Sequence, residues 1–198
     1  MKNIWIATKN EGKASEFKAM FRDLGYQVKT LNDLEEPIDI EETGTTFELN
    51  ARIKAETLAD MINEPVLADD SGLMIDYLDG KPGVYSARYA DRQKSDTANN
   101  EKVLKELENV VQEKRTARFV CVLAIARPGE ETVFFKGTCE GQIAHKPAGD
   151  HGFGYDPIFY LPETGKMMAE LTQTEKAAIS HRGDAIKQLG KNVNELFA

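Results

Sequence analysis

Residues 65–72, Pro-Val-Leu-Ala-Asp-Asp-Ser-Gly, place a short apolar run directly in front of two adjacent carboxylates. Such a run, Pro65 to Ala68, reads as a buried strand, and in α/β sheets ligands gather outside the carboxyl ends of strands. Just upstream, Thr45 to Glu48 has the Thr-x-x-Glu spacing of a capping box, and Phe47, Ala51, Ala55, Leu58 and Ile62 stripe one face. That pattern predicts a helix over 46–62. Nearer the N-terminus, 2–8 and Gln27–Leu31 read as strands on either side of a helix over 14–24, where Phe17, Met20, Phe21 and Leu24 recur at helical spacing. Downstream, Ser95–Leu107 reads as a helix, and Ala117–Ala126 and Thr132–Ile143 as two strands of a hairpin turned at Pro128-Gly129. A short strand at Phe159–Leu161 precedes a final helix over 174–196, striped by Ala178, Ala185, Leu189, Val193 and Leu196. Strands and helices alternating in this way make an α/β chain. No repeat, linker or low-complexity tract divides it, so 1–198 is read as one domain.

A chain of 198 residues buries a substantial core without a disulfide framework. Cys121 and Cys139 stand far from any Cys-x-x-Cys or Cys/His ligand spacing, so they read as reduced, packed thiols and point to the cytoplasm. The opening MKNIWIATKN reads neither as a signal peptide nor as a membrane span, and no later run reaches spanning length. The formal net charge of −8 disfavours binding to a nucleic-acid backbone. An anionic small substrate would need local cations, a divalent metal or the N–H groups of a helix start.

Five segments carry candidate chemistry. Thr8-Lys9-Asn10-Glu11-Gly12-Lys13 is a polar loop between a strand and a helix start, where backbone N–H groups and the helix dipole favour phosphate. Ordinary capping and a solvated lysine explain the same residues, and Ala7 stands where a P-loop needs its first glycine. Glu41-Glu42 and Asp69-Asp70 concentrate carboxylates that repel unless a cation or proton intervenes. Mg²⁺ suits them because it takes oxygen ligands and is shared with substrate phosphates; a solvated turn with one aspartate capping a helix is the alternative. His181 and Arg182 fall on or beside the apolar stripe of the final helix, ready either to donate to a purine carbonyl or phosphate, or to close an internal ion pair with a carboxylate. Finally, 149–157 (GDHGFGYDP) reverses the order of a dinucleotide fingerprint. Its glycines allow close backbone approach to a flat ligand, and Phe153 and Tyr155 offer rings either to a base or to the core. His145 and His151 lack any ligand-like spacing with His181, which argues against zinc.

Taken together, IATKNEGKASEF, EETGTTFELNARIKA, LADDSGL, PGVYSARYA, FGYDPIF and TEKAAISHRGDA resemble, in this order and over almost the whole chain, the inosine triphosphate pyrophosphatase family. The resemblance implies an elongated, two-lobed α/β fold with a mixed, twisted central sheet flanked by helices, a nucleotide cleft between the lobes and a homodimer. It implies hydrolysis of purine nucleoside triphosphates with a wrong base, such as ITP, dITP and XTP, to the monophosphate and pyrophosphate. By motif, Thr8, Lys9, Asn10, Glu11, Gly12 and Lys13 would hold phosphates, and Glu41 and Asp70 would bind Mg²⁺. Asp70 would also be the general base, with Ser71 touching substrate. Phe153, Gly154, Tyr155, Asp156, Lys176, His181 and Arg182 would surround the base and sugar-phosphate, with Lys54 a further phosphate candidate. The choices within Glu41/Glu42 and Asp69/Asp70 follow the family pattern alone. Many relatives have glycine where this chain has Lys9, which either faces solvent or adds a cation.

In the mechanism this implies, a carboxylate-oriented water attacks the α-phosphorus in line, and cations stabilise the charge that develops. Donors facing a 6-keto oxygen would exclude adenine, whose 6-amino group sets donor against donor. The partner is then a small nucleotide, with no nucleic acid and no membrane. The rivals are a pyrophosphatase for modified pyrimidine or other nucleotides, and a nucleotide sensor without turnover.

Overall fold

The strands and helices alternate as the sequence pattern requires. The computed structural model describes residues 2–91, 95–190 and 192–197. The strands are β1 (Lys2–Ile6), β2 (Tyr26–Thr30), β3 (Val66–Ile75), β4 (Thr116–Ala126), β5 (Val133–Ile143), β6 (Phe159–Leu161) and β7 (Lys166–Met167). The helices are α1 (Glu11–Asp23), α2 (Phe47–Ile62), α3 (Asp96–Glu106), α4 (Gln173–Ile179), α5 (His181–Gly190) and α6 (Val193–Leu196). The strands form one sheet in the order β2-β1-β3-β4-β5-β6-β7. It is mixed: β1 is parallel to β2 and β3, whereas β6 is antiparallel to β5 and β7.

The chain divides into two units. The first comprises Met1–Asp70, Cys121–Gly137 and Arg182–Ala198. Its core joins Ile4 and Ile6 of β1, Phe17 and Phe21 of α1, Leu67 of β3, Leu123 and Ile125 of β4, and Ala185 and Leu189 of α5. Phe17 and Phe21 are fully buried, each worth about 1.5–3 kcal/mol in water-excluded area. Helix α2 ends where Asn63 takes a left-handed conformation, with φ of 52°.

The second unit comprises Ser71–Val120 and Thr138–His181. Leu73 and Ile75 of β3, Val103 of α3, Ala117 and Phe119 of β4, Ile143 of β5 and Phe159 of β6 meet in its core. Arg115 is buried among them, and a buried guanidinium is costly unless its donors are met. Here Nε donates to the Ile143 carbonyl at 2.8 Å, Nη1 to Leu107 at 2.6 Å and Nη2 to Ala144 at 2.7 Å. One side chain thus ties the end of α3 to the end of β5.

Several expectations are corrected. The third strand does not stop at Ala68 but continues to Ile75, so the paired aspartates lie inside it, not beyond its end. The cap of α2 is Thr46, whose Oγ1 accepts from the Leu49 N–H at 3.1 Å, and not Thr45. The first helix begins at Glu11, capped by Asn10, before its apolar stripe becomes visible. The single final helix is three: Ser180 is extended, with φ −72° and ψ 161°, between α4 and α5, and α6 follows separately. Lys191, which the final helix was read to include, lies outside the described residues. The two-residue β7 has no counterpart in the sequence pattern, being too short to show alternation.

Candidate active site

In the first unit, β1 delivers the chain to Thr8 and α1 starts at Glu11. Asn10 Oδ1 accepts from the Lys13 N–H at 2.9 Å and Thr8 Oγ1 from the Asn10 N–H at 3.1 Å. The capping reading of this loop is therefore realised, with two side-chain oxygens meeting backbone N–H groups at the start of α1. Glu11 accepts from Asn32 at 2.6 Å. Lys9 faces solvent and reaches Asp39 at 3.1 Å, so the residue that stands in place of glycine extends away from the turn.

Because alternate side chains of a strand point to opposite faces, Asp69 and Asp70 have different surroundings. Asp69 is fully buried, with Lys13 Nζ at 3.0 Å and Arg182 Nε at 3.5 Å. Burial works to raise its carboxyl, but Lys13 and Arg182 outweigh it and hold the group well below the ordinary carboxylate range. Asp70 Oδ2 accepts from Asn50 Nδ2 at 3.2 Å, and Oδ1 lies 3.3 Å from Lys54 Nζ. Here burial prevails over Lys54 and Lys13, with Glu42 and Asp69 reinforcing it, and the carboxyl is raised. Two neighbouring aspartates are thus shifted in opposite directions, Asp69 down by its cations and Asp70 up by burial.

In the acidic loop, Glu42 Oε1 meets Lys54 Nζ at 2.5 Å, while Glu41 is exposed. Glu42, Lys54 and Asp70 form one chain of contacts. Lys54 is buried, and although burial lowers its affinity for a proton, Asp70, Asp69 and Glu42 more than restore it. Asn50 is fully buried and ties the loop to the strand, since its Oδ1 accepts from the Gly44 N–H at 2.8 Å while its Nδ2 serves Asp70. Arg182 donates to Glu16 at 2.8 Å.

In the second unit, Asp156 is buried and accepts from the Phe153 N–H at 2.9 Å and from Lys176 Nζ at 2.5 Å. Lys176 Nζ also lies 4.9 Å from the centre of the Phe153 ring, so the loop, its carboxylate and the lysine of α4 form one cluster. Gly152 has φ of +78°, and a Cβ there would collide with the Asp156 carboxylate. Tyr155 is a core residue whose hydroxyl donates to the Ser86 carbonyl at 2.6 Å, which leaves Phe153 as the half-buried ring of the loop. His181 is buried and stacks on Phe119, with ring centres 4.8 Å apart. Its burial was anticipated from a continuous helical stripe, whereas the break at Ser180 means that Ala178 and His181 do not share one. Ser71, half-buried, follows Asp70 in β3.

Glu16, Asn50, Ser86, Asp96, Asn100 and Phe119 were not singled out from the sequence. For Asn50 a signal existed: with Lys54 it makes an i, i+4 polar pair beside the apolar stripe of α2. The others are joined to the site only by long-range contacts. Among the described residues no three His, Cys, Asp or Glu side chains converge to hold a metal by themselves, and none of the helices is long and apolar enough to cross a membrane.

The family model described as Ham1 matches residues 4–192. The chain is 57% identical over 191 residues to the dITP/XTP pyrophosphatase of Halalkalibacterium halodurans, covering 96% of this chain and 98% of that one. The Ham1 protein of Staphylococcus aureus superposes with a TM-score of 0.86 at 48% identity, covering 98% of this chain and 99% of that one. That of Coxiella burnetii gives 0.87 at 43% identity, covering 98% and 100%. With its described elements, its two carboxylate-and-lysine clusters and these matches all in agreement, the chain belongs to the Ham1 family.

Proposed function

We propose that this protein hydrolyses deaminated purine nucleoside triphosphates, ITP, dITP and XTP, to the monophosphate and pyrophosphate. The observation that carries the reading is the Glu42–Lys54–Asp70 chain, with Glu42 at 2.5 Å and Asp70 at 3.3 Å from one ammonium. Beside that chain, the acidic loop and β3 offer the oxygen-only donors that Mg²⁺ favours, and two carboxylates suffice because it takes its other ligands from water and phosphate. In this reading Glu41 and Asp70 would hold Mg²⁺, which when bound would offset the charge of the triphosphate, while Glu42 holds Lys54. Asp70, with its raised carboxyl, orients a water and accepts its proton as the water oxygen bonds to the α-phosphorus. The bond from that phosphorus to the bridging oxygen breaks, and pyrophosphate leaves. Lys13 and Lys54 offset the charge on the departing phosphates, the N–H groups of the 8–13 loop receive them at the helix start, and Ser71 touches the substrate.

The base is assigned to Phe153, Gly154, Tyr155 and Asp156, with Lys176, His181 and Arg182. Phe153 supplies the stacking face, Asp156 and Lys176 fix the loop, and Arg182, through Glu16 and Asp69, holds the partner of Lys13. A soluble, cytoplasmic homodimer acting on small nucleotides, with neither nucleic acid nor membrane as partner, fits the acidic charge of −8 and the two buried thiols.

The test is product analysis with Mg²⁺ over ITP, dITP, XTP, GTP, ATP and CTP, with and without chelator. Chelator-sensitive pyrophosphate from the first three substrates is the expected result. Release of single phosphate would mean attack at the γ-phosphorus and would overturn the mechanism, and binding without turnover would make the protein a sensor.

A further inference from the structure

The loop that carries Phe153, Gly154 and Tyr155 is held on one side by a helix that none of the recognisable motifs includes. Asp96 and Asn100 stand one turn apart on α3. Asp96 Oδ2 accepts from the Gly154 N–H at 2.7 Å, and Asn100 Nδ2 donates to the Gly154 carbonyl at 3.0 Å. These two bonds fix two peptide planes, because the N–H belongs to the plane shared with Phe153 and the carbonyl to the plane shared with Tyr155. Gly154 has φ of +63° and Gly152 φ of +78°, and glycine peptides at such positions turn at little cost unless they are held.

The Phe153 N–H donates to Asp156 Oδ2, and its carbonyl accepts from the Asp156 N–H at 3.3 Å. Both Gly154 groups are bound to α3, and the Tyr155 carbonyl accepts from the Ile158 N–H at 3.1 Å. Among the described residues this leaves the Tyr155 N–H as the one backbone donor of the three without a partner. In a trans peptide the N–H points opposite to the carbonyl it is joined to. Since Asn100 draws the Gly154 carbonyl to α3, the Tyr155 N–H is aimed away from α3.

We propose that Asp96 and Asn100 are specificity-positioning residues: by clamping both peptide planes of Gly154 they present the Tyr155 N–H as a donor for the 6-keto oxygen of a purine. A turn of that peptide would present the Gly154 carbonyl instead, an acceptor that suits a 6-amino group. The clamp therefore sets the sign of the hydrogen bond offered to position 6. The inference rests on the function proposed above.

The experiment measures kcat/KM for ITP and ATP in the unaltered protein and in Asn100→Asp, Asn100→Ala, Asp96→Ala and Asp96→Asn, with Tm recorded for each. Asn100→Asp, which sets a carboxylate against the Gly154 carbonyl, is expected to lower the ITP/ATP ratio by about tenfold or more, chiefly through the KM of ITP. Asn100→Ala and Asp96→Ala follow with smaller losses, whereas Asp96→Asn, which keeps an acceptor for the Gly154 N–H, preserves the ratio. A merely structural role would lower both substrates in proportion, and an unchanged ratio overturns the proposal. If the unaltered protein itself shows no preference for ITP, the function is wrong and the clamp falls with it. If that preference holds but the variants keep it, the clamp alone is wrong. Should the Asn100 variants fail to fold, ¹⁵N-tyrosine labelling of the unaltered protein decides instead. The Tyr155 amide signal is expected to move downfield with inosine monophosphate and not with adenosine monophosphate, and no such difference overturns the proposal.

Discussion

At the scale of single residues, adjacent acids of the same type are given different surroundings by which face of β3 they occupy. Asp70→Asn keeps shape but removes the proton acceptor, and turnover of ITP is expected to fall by about 10²–10⁴-fold with Tm little changed. Asp69→Asn should do the reverse in kind. It strips the buried counter-ion from Lys13 and Arg182, and breaking a buried pair from one side costs about 3–5 kcal/mol, read as a large drop in denaturant midpoint. The acidic loop gives a sharper contrast. Glu41→Gln, on an exposed side chain, is expected to raise the Mg²⁺ concentration needed for half-maximal rate, whereas Glu42→Gln, which takes a carboxylate from Lys54, should leave that concentration nearly unchanged. None of these distinctions was legible in the linear order, because Glu41 and Glu42, like Asp69 and Asp70, are chemically identical neighbours. Only Lys54 and Lys13, brought from two different helices, tell them apart.

At the scale of elements, the base loop is held by α4 through Lys176–Asp156 and by α3 through Gly154. Gly152→Ala places a methyl group against the Asp156 carboxylate at a positive φ, which is expected to cost about 1–3 kcal/mol and to raise the KM of ITP as the loop loses its anchor. Phe153→Ala removes the ring above which Lys176 sits; base stacking is worth about 1–3 kcal/mol, so the KM should rise roughly ten- to a hundredfold with kcat largely kept. Strand and helix identities in these parts were readable from periodicity, as the prediction of Phe159–Leu161 and the helix after Ser95 shows. The break at Ser180 was not, since Ala178, Ala185 and Leu189 keep an apolar rhythm on both sides of it and periodicity cannot register one extended residue.

At the scale of the whole molecule, two deeply buried cations find their partners within the chain. Arg115 is satisfied by main-chain carbonyls and Arg182 by Glu16, and among the described residues no site of three or more His, Cys, Asp or Glu ligands forms. A chelator is therefore expected to abolish pyrophosphate release while shifting Tm by less than about 2 °C, because only tight ligand binding to the folded state raises stability appreciably. A collapse of Tm on chelation would mean that the metal is a structural part of the protein.

The sequence by itself determined the α/β class, the order of most elements and the family, because apolar period, cap residues and motif spacing are local or ordered along the chain. Tertiary structure alone decided that the paired aspartates lie within a strand, that Glu42 and not Glu41 meets Lys54, that Tyr155 is core while Phe153 is not, and that α3 grips Gly154. Each depends on which side chains arrive from a distant part of the chain, and a buried charge or a glycine peptide takes its role from the partners that neutralise or hold it.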